Sequence, residues 1–132
     1  MIERSEGDFV QVRLPADSAY LSVLRTATAG LAARLDFTLD EIEDLRIAVD
    51  EACAMLLPQA VPGGDLSCNF RLTENALVLS VSVPTADGRL PSRDTFAWTV
   101  LNALAGEVEA DVDQSKRVSI TMTKKRGATG LL

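Results

Sequence analysis

Two alternating apolar segments, separated by four residues, constrain the fold of this 132-residue chain more than any other feature. Every second residue is apolar in each segment: Leu66, Cys68, Phe70 and Leu72 in the first, and Leu77, Leu79, Val81 and Val83 in the second. This alternation is typical of strands with one buried face. The connection 73–76 joins the two strands as a β-hairpin, so the chain is expected to build an antiparallel sheet.

The segment before this hairpin predicts one strand and two helices. Residues 9–14 alternate and predict a strand that Pro15 closes. Asp17 or Ser18 can cap a first helix to about residue 35, in which apolar residues recur at spacings of three and four: Tyr20, Leu24, Ala27, Leu31 and Leu35. A second helix opens with a capping box at residues 38–41 and continues with the apolar stripe Ile42, Leu45, Val49, Ala52 and Leu56.

The segment after the hairpin predicts a third helix and two more strands. Residues 84–93 contain two prolines and a glycine and are interpreted as a loop. Helical spacing resumes near Thr95 and stops at Gly106, with these apolar residues between: Phe96, Val100, Leu101 and Leu104. A short segment over 108–112, a turn over 113–116 and a strand over 117–124 complete the chain.

The resulting order is β-α-α-β-β-α-β-β, in which the strands cluster in hairpins. This clustering favours an α+β fold: a mixed, mostly antiparallel sheet covered on one face by three helices. We expect a single domain over residues 1–132, with a core of about 9–125 and a flexible, basic C-terminal tail.

The composition excludes several kinds of site. The chain contains no histidine, which removes Ser-His and Cys-His nucleophile pairs together with His-based metal sites. Its two cysteines, Cys53 and Cys68, form no C-x-x-C pair and are interpreted as small buried apolar residues, so we predict no metal site. The chain has neither a long apolar run nor a signal-like N-terminus, so we expect a cytoplasmic protein without membrane contact.

Negative charge is concentrated in one window of the chain. The formal net charge is −6, which argues against direct binding of nucleic acid. Residues 36–51 hold seven acidic side chains against one basic side chain, Arg46. One interpretation is a solvated helix face with acids near a helix N-terminus, and the other is a docking surface for a basic partner.

The second predicted helix resembles a known family. Residues 42–53, Ile-Glu-Asp-Leu-Arg-Ile-Ala-Val-Asp-Glu-Ala-Cys, are similar to the signature helix of the RsbW-like anti-sigma factors, members of the GHKL (histidine-kinase-like) ATPase superfamily. Leu24-Arg25, residues 101–108 and residues 118–124 agree with the same family. The resemblance runs from about Phe9 to Lys125, and the family's histidine-kinase-like fold agrees with the predicted order of elements.

The resemblance implies a protein that binds an RNA polymerase sigma factor and keeps it from the polymerase. Many members of the family are also serine kinases that phosphorylate a STAS-domain anti-anti-sigma antagonist. The family dimerises, and the strand at 9–14 offers an edge through which a homodimer could pair. We expect residues 40–50 and the first helix to contact the sigma factor, in an association that salt weakens.

The nucleotide motifs of the family are altered in this chain. In the E-x-x-x-N motif Glu51 matches the glutamate base, whereas Met55 replaces the asparagine that holds magnesium. A thioether is a poor ligand for this hard cation. The family's D-x-G loop binds adenine, but here Asp87 is followed directly by Gly88, so the spacing is off by one. Asp87 and Gly88 are therefore candidate adenine-binding residues, and a structural turn is the other interpretation.

The glycine-rich phosphate lid of the family, G-x-G, aligns with residues 95–97. Thr95 and Ala97 therefore stand where the glycines would be, and Asp94 can cap the following helix. Phe96 and Trp98 are interpreted as packing residues. Together these changes predict weak ATP binding with no strong ligand for magnesium.

Three functions remain as hypotheses. The leading hypothesis is an anti-sigma factor with a degenerate ATP site, because occlusion of a sigma factor needs no hydrolysis. The alternative is an active serine kinase with Glu51 as base and a STAS-domain substrate. The third is an interaction module on the same scaffold whose partner is not a sigma factor.

Overall fold

Five β-strands and three α-helices make up residues 7–127, the part of the chain that the computed structural model describes. In chain order they are β1 (Asp8–Pro15), α1 (Leu21–Arg34), α2 (Leu39–Leu56), β2 (Asp65–Leu72), β3 (Ala76–Pro84), α3 (Phe96–Ala105), β4 (Glu107–Val112) and β5 (Arg117–Lys125). This order confirms the predicted α+β fold. The predicted flexible tail includes residues 128–132, which lie outside the described residues.

The strands form one sheet in the order β1-β2-β3-β5-β4. Its four pairings are all antiparallel, so the sheet is antiparallel throughout. The register places one apolar residue of each strand in a single row across the sheet: Val10, Phe70, Leu79, Met122 and Val108. As predicted, β1 lies at one edge of the sheet, and β3 lies at its centre.

The helices cover one face of this sheet, and α2 packs against both α1 and α3. The predicted α2 stripe is confirmed, since these four of its members are fully buried: Leu45, Val49, Ala52 and Leu56. Cys53 and Cys68 are buried free thiols in the same core, as interpreted from the sequence. Within residues 7–127, no helix combines the length and the apolar character needed to cross a bilayer.

The capping box of α2 is present. The Thr38 hydroxyl accepts a hydrogen bond from the Glu41 backbone N–H at 3.1 Å, and the Thr38 N–H donates to Glu41 Oε1 at 2.8 Å. The first helix begins differently from the prediction, because Asp17 caps a 3-10 turn over Ser18–Tyr20 and α1 follows it. The placement of Tyr20 in the buried stripe was wrong, since the tighter 3-10 turn changes the phase and leaves this ring exposed.

The first residues after β5 contact the junction between α1 and α2. The Arg126 guanidinium donates to the Leu35 carbonyl at 3.2 Å, and the Gly127 N–H donates to Glu41 Oε2 at 2.7 Å. Residues 126–127 are therefore tied to the helices, although the predicted flexible tail includes Gly127.

Candidate functional site

The Glu51 and Met55 side chains lie one turn apart on α2, and each is half-buried. Ala48, on the adjoining turn, is fully buried. This places a carboxylate at the rim of the core, as the helical spacing predicts, with a thioether beside it. Met55 packs against the core, so its side chain contributes apolar contact.

Lys124 joins the end of α3 to α2. Its ammonium group donates to the Leu104 carbonyl at 2.9 Å and lies 3.7 Å from Asp44 Oδ2. The C-terminal end of α3 is therefore held beside the first half of α2. The α3 helix also packs against α2.

The N-terminus of α3 is capped by Thr95. Its hydroxyl accepts a hydrogen bond from the Trp98 N–H at 3.1 Å, and its carbonyl accepts from the Thr99 N–H at 3.2 Å. The prediction that Asp94 caps this helix was wrong, because Thr95 has the extended backbone of an N-cap residue and Asp94 lies one position earlier. The cap uses one of the free N–H groups that a phosphate would need at a helix start.

The two aromatic residues of the first α3 turn have different environments. Trp98 is 5% exposed and belongs to the core, as interpreted from the sequence. The Arg93 guanidinium lies 5.4 Å from the centre of its ring, within the range of a cation–π contact. Phe96 is 82% exposed, so its interpretation as a packing residue was wrong. At the first helical position its side chain extends beyond the rim of the core.

Asp87 and Gly88 form a turn beside the β4–β5 hairpin. The Asp87 side chain is exposed, accepts a hydrogen bond from the Arg89 N–H at 3.2 Å and forms an ion pair with Arg89 at 3.6 Å. Gly88 has φ +69°, and a Cβ there would lie 3.2 Å from Val112 Cγ2. Both features are typical of a local turn, and the Asp87 carboxylate lies at the surface.

Thr85 anchors this turn, a role that the sequence analysis missed. Its buried hydroxyl donates to the Lys116 carbonyl at 2.6 Å and accepts from the Gly88 N–H at 2.8 Å. The only sequence signal was its position directly after the second strand of the first hairpin. The Lys116 carbonyl comes from a turn 31 residues later, and nothing local in the sequence indicates that contact.

The chemistry of these residues does not fit a magnesium-bound triphosphate. Met55 offers sulfur where the cation requires oxygen. Thr95 and Ala97 carry side chains at positions where close backbone approach to phosphate needs glycine, and the Thr95 hydroxyl already satisfies the Trp98 N–H. Among residues 7–127, no three Asp, Glu or Cys side chains are grouped so that they could hold a metal ion.

Most of the acidic window is paired within the chain. Glu41 belongs to the capping box, and the other contacts join Glu43 to Arg46, Asp44 to Lys124 and Asp50 to Arg25 at 3.0, 3.7 and 2.8 Å. Asp36, Asp40 and Glu51 form no ion pair with any described residue. The negative field of this face is therefore weaker than the count of seven acids indicates.

The two cysteine thiols are poorly reactive. Burial raises the pKa of Cys53 to about 12, and burial likewise raises the pKa of Cys68 well above its ordinary value. A thiol with a raised pKa carries almost no thiolate at neutral pH and reacts slowly. Neither cysteine is therefore a candidate nucleophile.

The sequence is similar to those of several curated bacterial proteins. The serine-protein kinase RsbW of Halalkalibacterium halodurans is 31% identical over 134 aligned residues, which cover 87% of this chain and 82% of that protein. The serine-protein kinases RsbW of Bacillus subtilis and Bacillus thuringiensis are 34% and 36% identical over 60% and 62% of this chain. The chain matches 51% of the length of each of these two proteins. No family model matches the chain.

The fold is also found in a solved structure. A Mycobacterium tuberculosis protein with RsbU and RsbW domains superposes with a TM-score of 0.69 at 16% sequence identity. The superposition covers 92% of this chain and 34% of that chain. At this identity the likeness concerns the fold alone, and it agrees with the sheet and helices described above.

Proposed function

The chain belongs to the RsbW family, and from this premise we propose that it is an anti-sigma factor: it binds an RNA polymerase sigma factor and keeps it from the polymerase. The observation that carries the proposal is the 31% identity to an RsbW protein over most of both chains. The altered nucleotide positions are compatible with this role, because a protein that acts by occlusion requires a surface and no reaction.

The helix side of the molecule offers a surface for such a partner. Four apolar side chains of this side are exposed although they lie on helices or at a helix start: Tyr20, Val23, Leu39 and Ile47. Exposed apolar anchors beside charged groups are typical of protein-binding surfaces. Ile47 lies within the acidic window and is 40% exposed, so it can contribute apolar contact while Asp40, which forms no ion pair with a described residue, attracts a basic partner.

A paired substitution tests this surface. We expect Ile47→Arg to weaken sigma binding at least tenfold, about 1.4 kcal/mol, because it replaces an apolar anchor with a desolvated charge. Leu90→Arg is the matched control, since Leu90 is 43% exposed and lies in the loop before α3. Co-purification with each sigma factor of the source organism, followed by calorimetry, gives the affinities. Binding to no sigma factor would reject the proposal and favour an interaction module with another partner.

The second candidate function is a serine kinase that phosphorylates a STAS-domain anti-anti-sigma factor. The similar curated proteins are described as serine-protein kinases, and Glu51 is available at the rim of the core. We propose that ATP binding is weak and that magnesium lacks its protein ligand at Met55, so that phosphate transfer is slow or absent. The STAS-domain protein would then act as a competitor for the sigma-binding surface.

Label transfer separates the two candidates. The purified chain is incubated with labelled ATP, magnesium and each STAS-domain protein of the source organism. We expect no labelled STAS protein. Phosphate transfer that is lost in Glu51→Ala but retained in the loop control Asp94→Ala would establish the kinase instead.

A further inference from the structure

The chain contains one aspartate that is followed directly by glycine, Asp87, and no asparagine that is followed by glycine. Glycine has no side chain to hinder its backbone nitrogen, so the Gly88 nitrogen can attack Cγ of the preceding aspartic acid and close a five-membered ring. The carboxyl OH leaves with the amide proton as water, and the product is a succinimide. Water then opens this ring at one of its two carbonyls, which gives back aspartate or forms isoaspartate.

The Asp87 carboxyl is open to this reaction. Its side chain is 61% exposed, so water and protons reach it. It accepts a hydrogen bond from the Arg89 N–H at 3.2 Å and lies 3.6 Å from the Arg89 guanidinium. Both contacts are at the surface, where such interactions contribute little to the free energy. The electrophilic side of the reaction is therefore weakly restrained.

The nitrogen that would attack is held much more firmly. The Gly88 N–H donates to the Thr85 hydroxyl at 2.8 Å, and this buried hydroxyl in turn donates to the Lys116 carbonyl at 2.6 Å. The Thr85 N–H donates to the same carbonyl at 3.2 Å, so the hydroxyl has a fixed position. Attack requires the nitrogen to give up its proton, and an N–H group that is bound to a buried acceptor must first be released.

Packing restrains Gly88 in the same way. Its φ is +69°, and a Cβ built on it would lie 3.2 Å from Val112 Cγ2 and 3.6 Å from Lys116 Cγ. Gly88 therefore lies close to the β4–β5 hairpin, and ring closure would require it to move out of this contact.

We propose that Asp87 is a site of spontaneous isoaspartate formation and that the Thr85 hydroxyl controls its rate. The reaction changes neither the composition nor the oxidation state of the chain. It places Cβ of Asp87 in the main chain, which becomes longer by one methylene group. Gly88 then no longer fits its contacts with Thr85 and Val112, so the modified turn is expected to separate from the β4–β5 hairpin.

Substitution of Thr85 tests the proposal. We expect Thr85→Val to form isoaspartate at position 87 about fivefold faster than the parent chain, because a typical hydrogen bond contributes a factor of this size. Thr85→Ser keeps the hydroxyl and is expected to react at the parent rate. Thr73→Val is the matched control: the Thr73 hydroxyl accepts from the Ala76 N–H at 3.1 Å with the same spacing of three residues, but in another turn. It is also expected to react at the parent rate.

The rates are measured by incubation of each purified chain at neutral pH over several weeks. An isoaspartyl methyltransferase with labelled S-adenosylmethionine counts the isoaspartate, and peptide mapping locates it. Asp87→Glu keeps the charge but would require a six-membered ring, so the signal from this segment is expected to disappear. The parent unfolded in guanidinium gives the unprotected rate, which we expect to be at least about tenfold higher than that of the folded parent.

The proposal is overturned by a folded Thr85→Val chain that reacts at the parent rate, or by a folded parent that reacts as fast as the unfolded chain. Circular dichroism verifies that each variant is folded. Hydrogen exchange of the Gly88 amide in the parent tests the restraint without any substitution: we expect slow exchange, and exchange at the rate of an unfolded amide would also overturn the proposal. These experiments contain neither a sigma factor nor nucleotide, so their outcome is independent of the proposed function.

Discussion

At the scale of single residues, we propose that three side chains weaken nucleotide binding at the altered motifs. Met55 supplies sulfur and packs against the core, Thr95 caps α3, and Ala97 adds a methyl group where the family has glycine. The sequence identified all three as departures from the family motifs. It did not identify the residue that caps α3, because Asp94 and Thr95 are both good N-cap residues and only the backbone angles distinguish them.

We predict that restoring one motif residue is insufficient for magnesium-dependent ATP binding. Met55→Asn supplies the oxygen ligand, yet the lid still lacks the glycines that let backbone approach phosphate. The triple variant Met55→Asn, Thr95→Gly and Ala97→Gly is expected to bind ATP at least tenfold more tightly with magnesium than without it. Calorimetric titration with ATP, with and without magnesium, measures both. Tight magnesium-dependent binding by the parent chain would contradict the prediction.

A second prediction concerns the pH dependence of stability at Asp65. Hydrogen bonds from the Arg117 guanidinium lower the pKa of this carboxyl below its ordinary value, and the shortest of them is 2.9 Å. Because the folded-state pKa is lower than the unfolded-state pKa, the carboxylate stabilises the fold at neutral pH. This contribution is lost as the pH falls from about 5 through the folded-state pKa.

Urea unfolding at pH 7 and near pH 3 measures this effect. We expect Asp65→Asn to lose less free energy of unfolding on acidification than the parent chain. Glu74→Gln, in the exposed β2–β3 turn, is expected to lose as much as the parent. An Asp65→Asn variant with the parent's full acid sensitivity would exclude this residue as a source of it.

At the scale of elements, the sequence predicted both hairpins and the face of α2 that is buried. Alternation along a strand and apolar spacing along a helix both follow from burial. The buried residues of β2, from Leu66 to Leu72, and of α2, from Leu45 to Leu56, could therefore be predicted. The start of α1 was not, because Asp17 caps a 3-10 turn and the helix follows one turn later. The exposure of Phe96 was missed for a related reason, since an aromatic residue at a helix start fits an apolar pattern whether or not it is covered.

The capping box of α2 provides a prediction at this scale. Thr38→Ala removes the hydroxyl that accepts from the Glu41 N–H, and we expect it to lower the free energy of unfolding by about 1 kcal/mol. Thr26→Ala, at an exposed position within α1, is the control and is expected to change stability by less than about 0.5 kcal/mol. Thermal and urea unfolding give both values. Equal stability of the two variants would show that the box adds nothing to α2.

At the scale of the whole molecule, the two sides of the sheet differ in character. The helix side carries exposed apolar residues with partly paired acids, whereas the opposite side of the sheet is polar and joins Arg117 to Ser82 and Asp65. The sequence could not predict this second pattern, because it depends on β3 pairing with β5 across more than 30 residues of chain. It could predict the acidic window but not that Arg25 and Lys124, distant in sequence, neutralise part of it.

Calorimetric titration of sigma factors into the purified chain, without nucleotide and with a chelator that removes divalent cations, tests the proposed sequestration most directly. We predict saturable, stoichiometric binding of at least one sigma factor of the source organism under these conditions. Binding should weaken as salt is raised, because Asp40 contributes charge to the proposed surface. Binding that appears only when ATP and magnesium are added, or no binding to any sigma factor, would contradict the proposal.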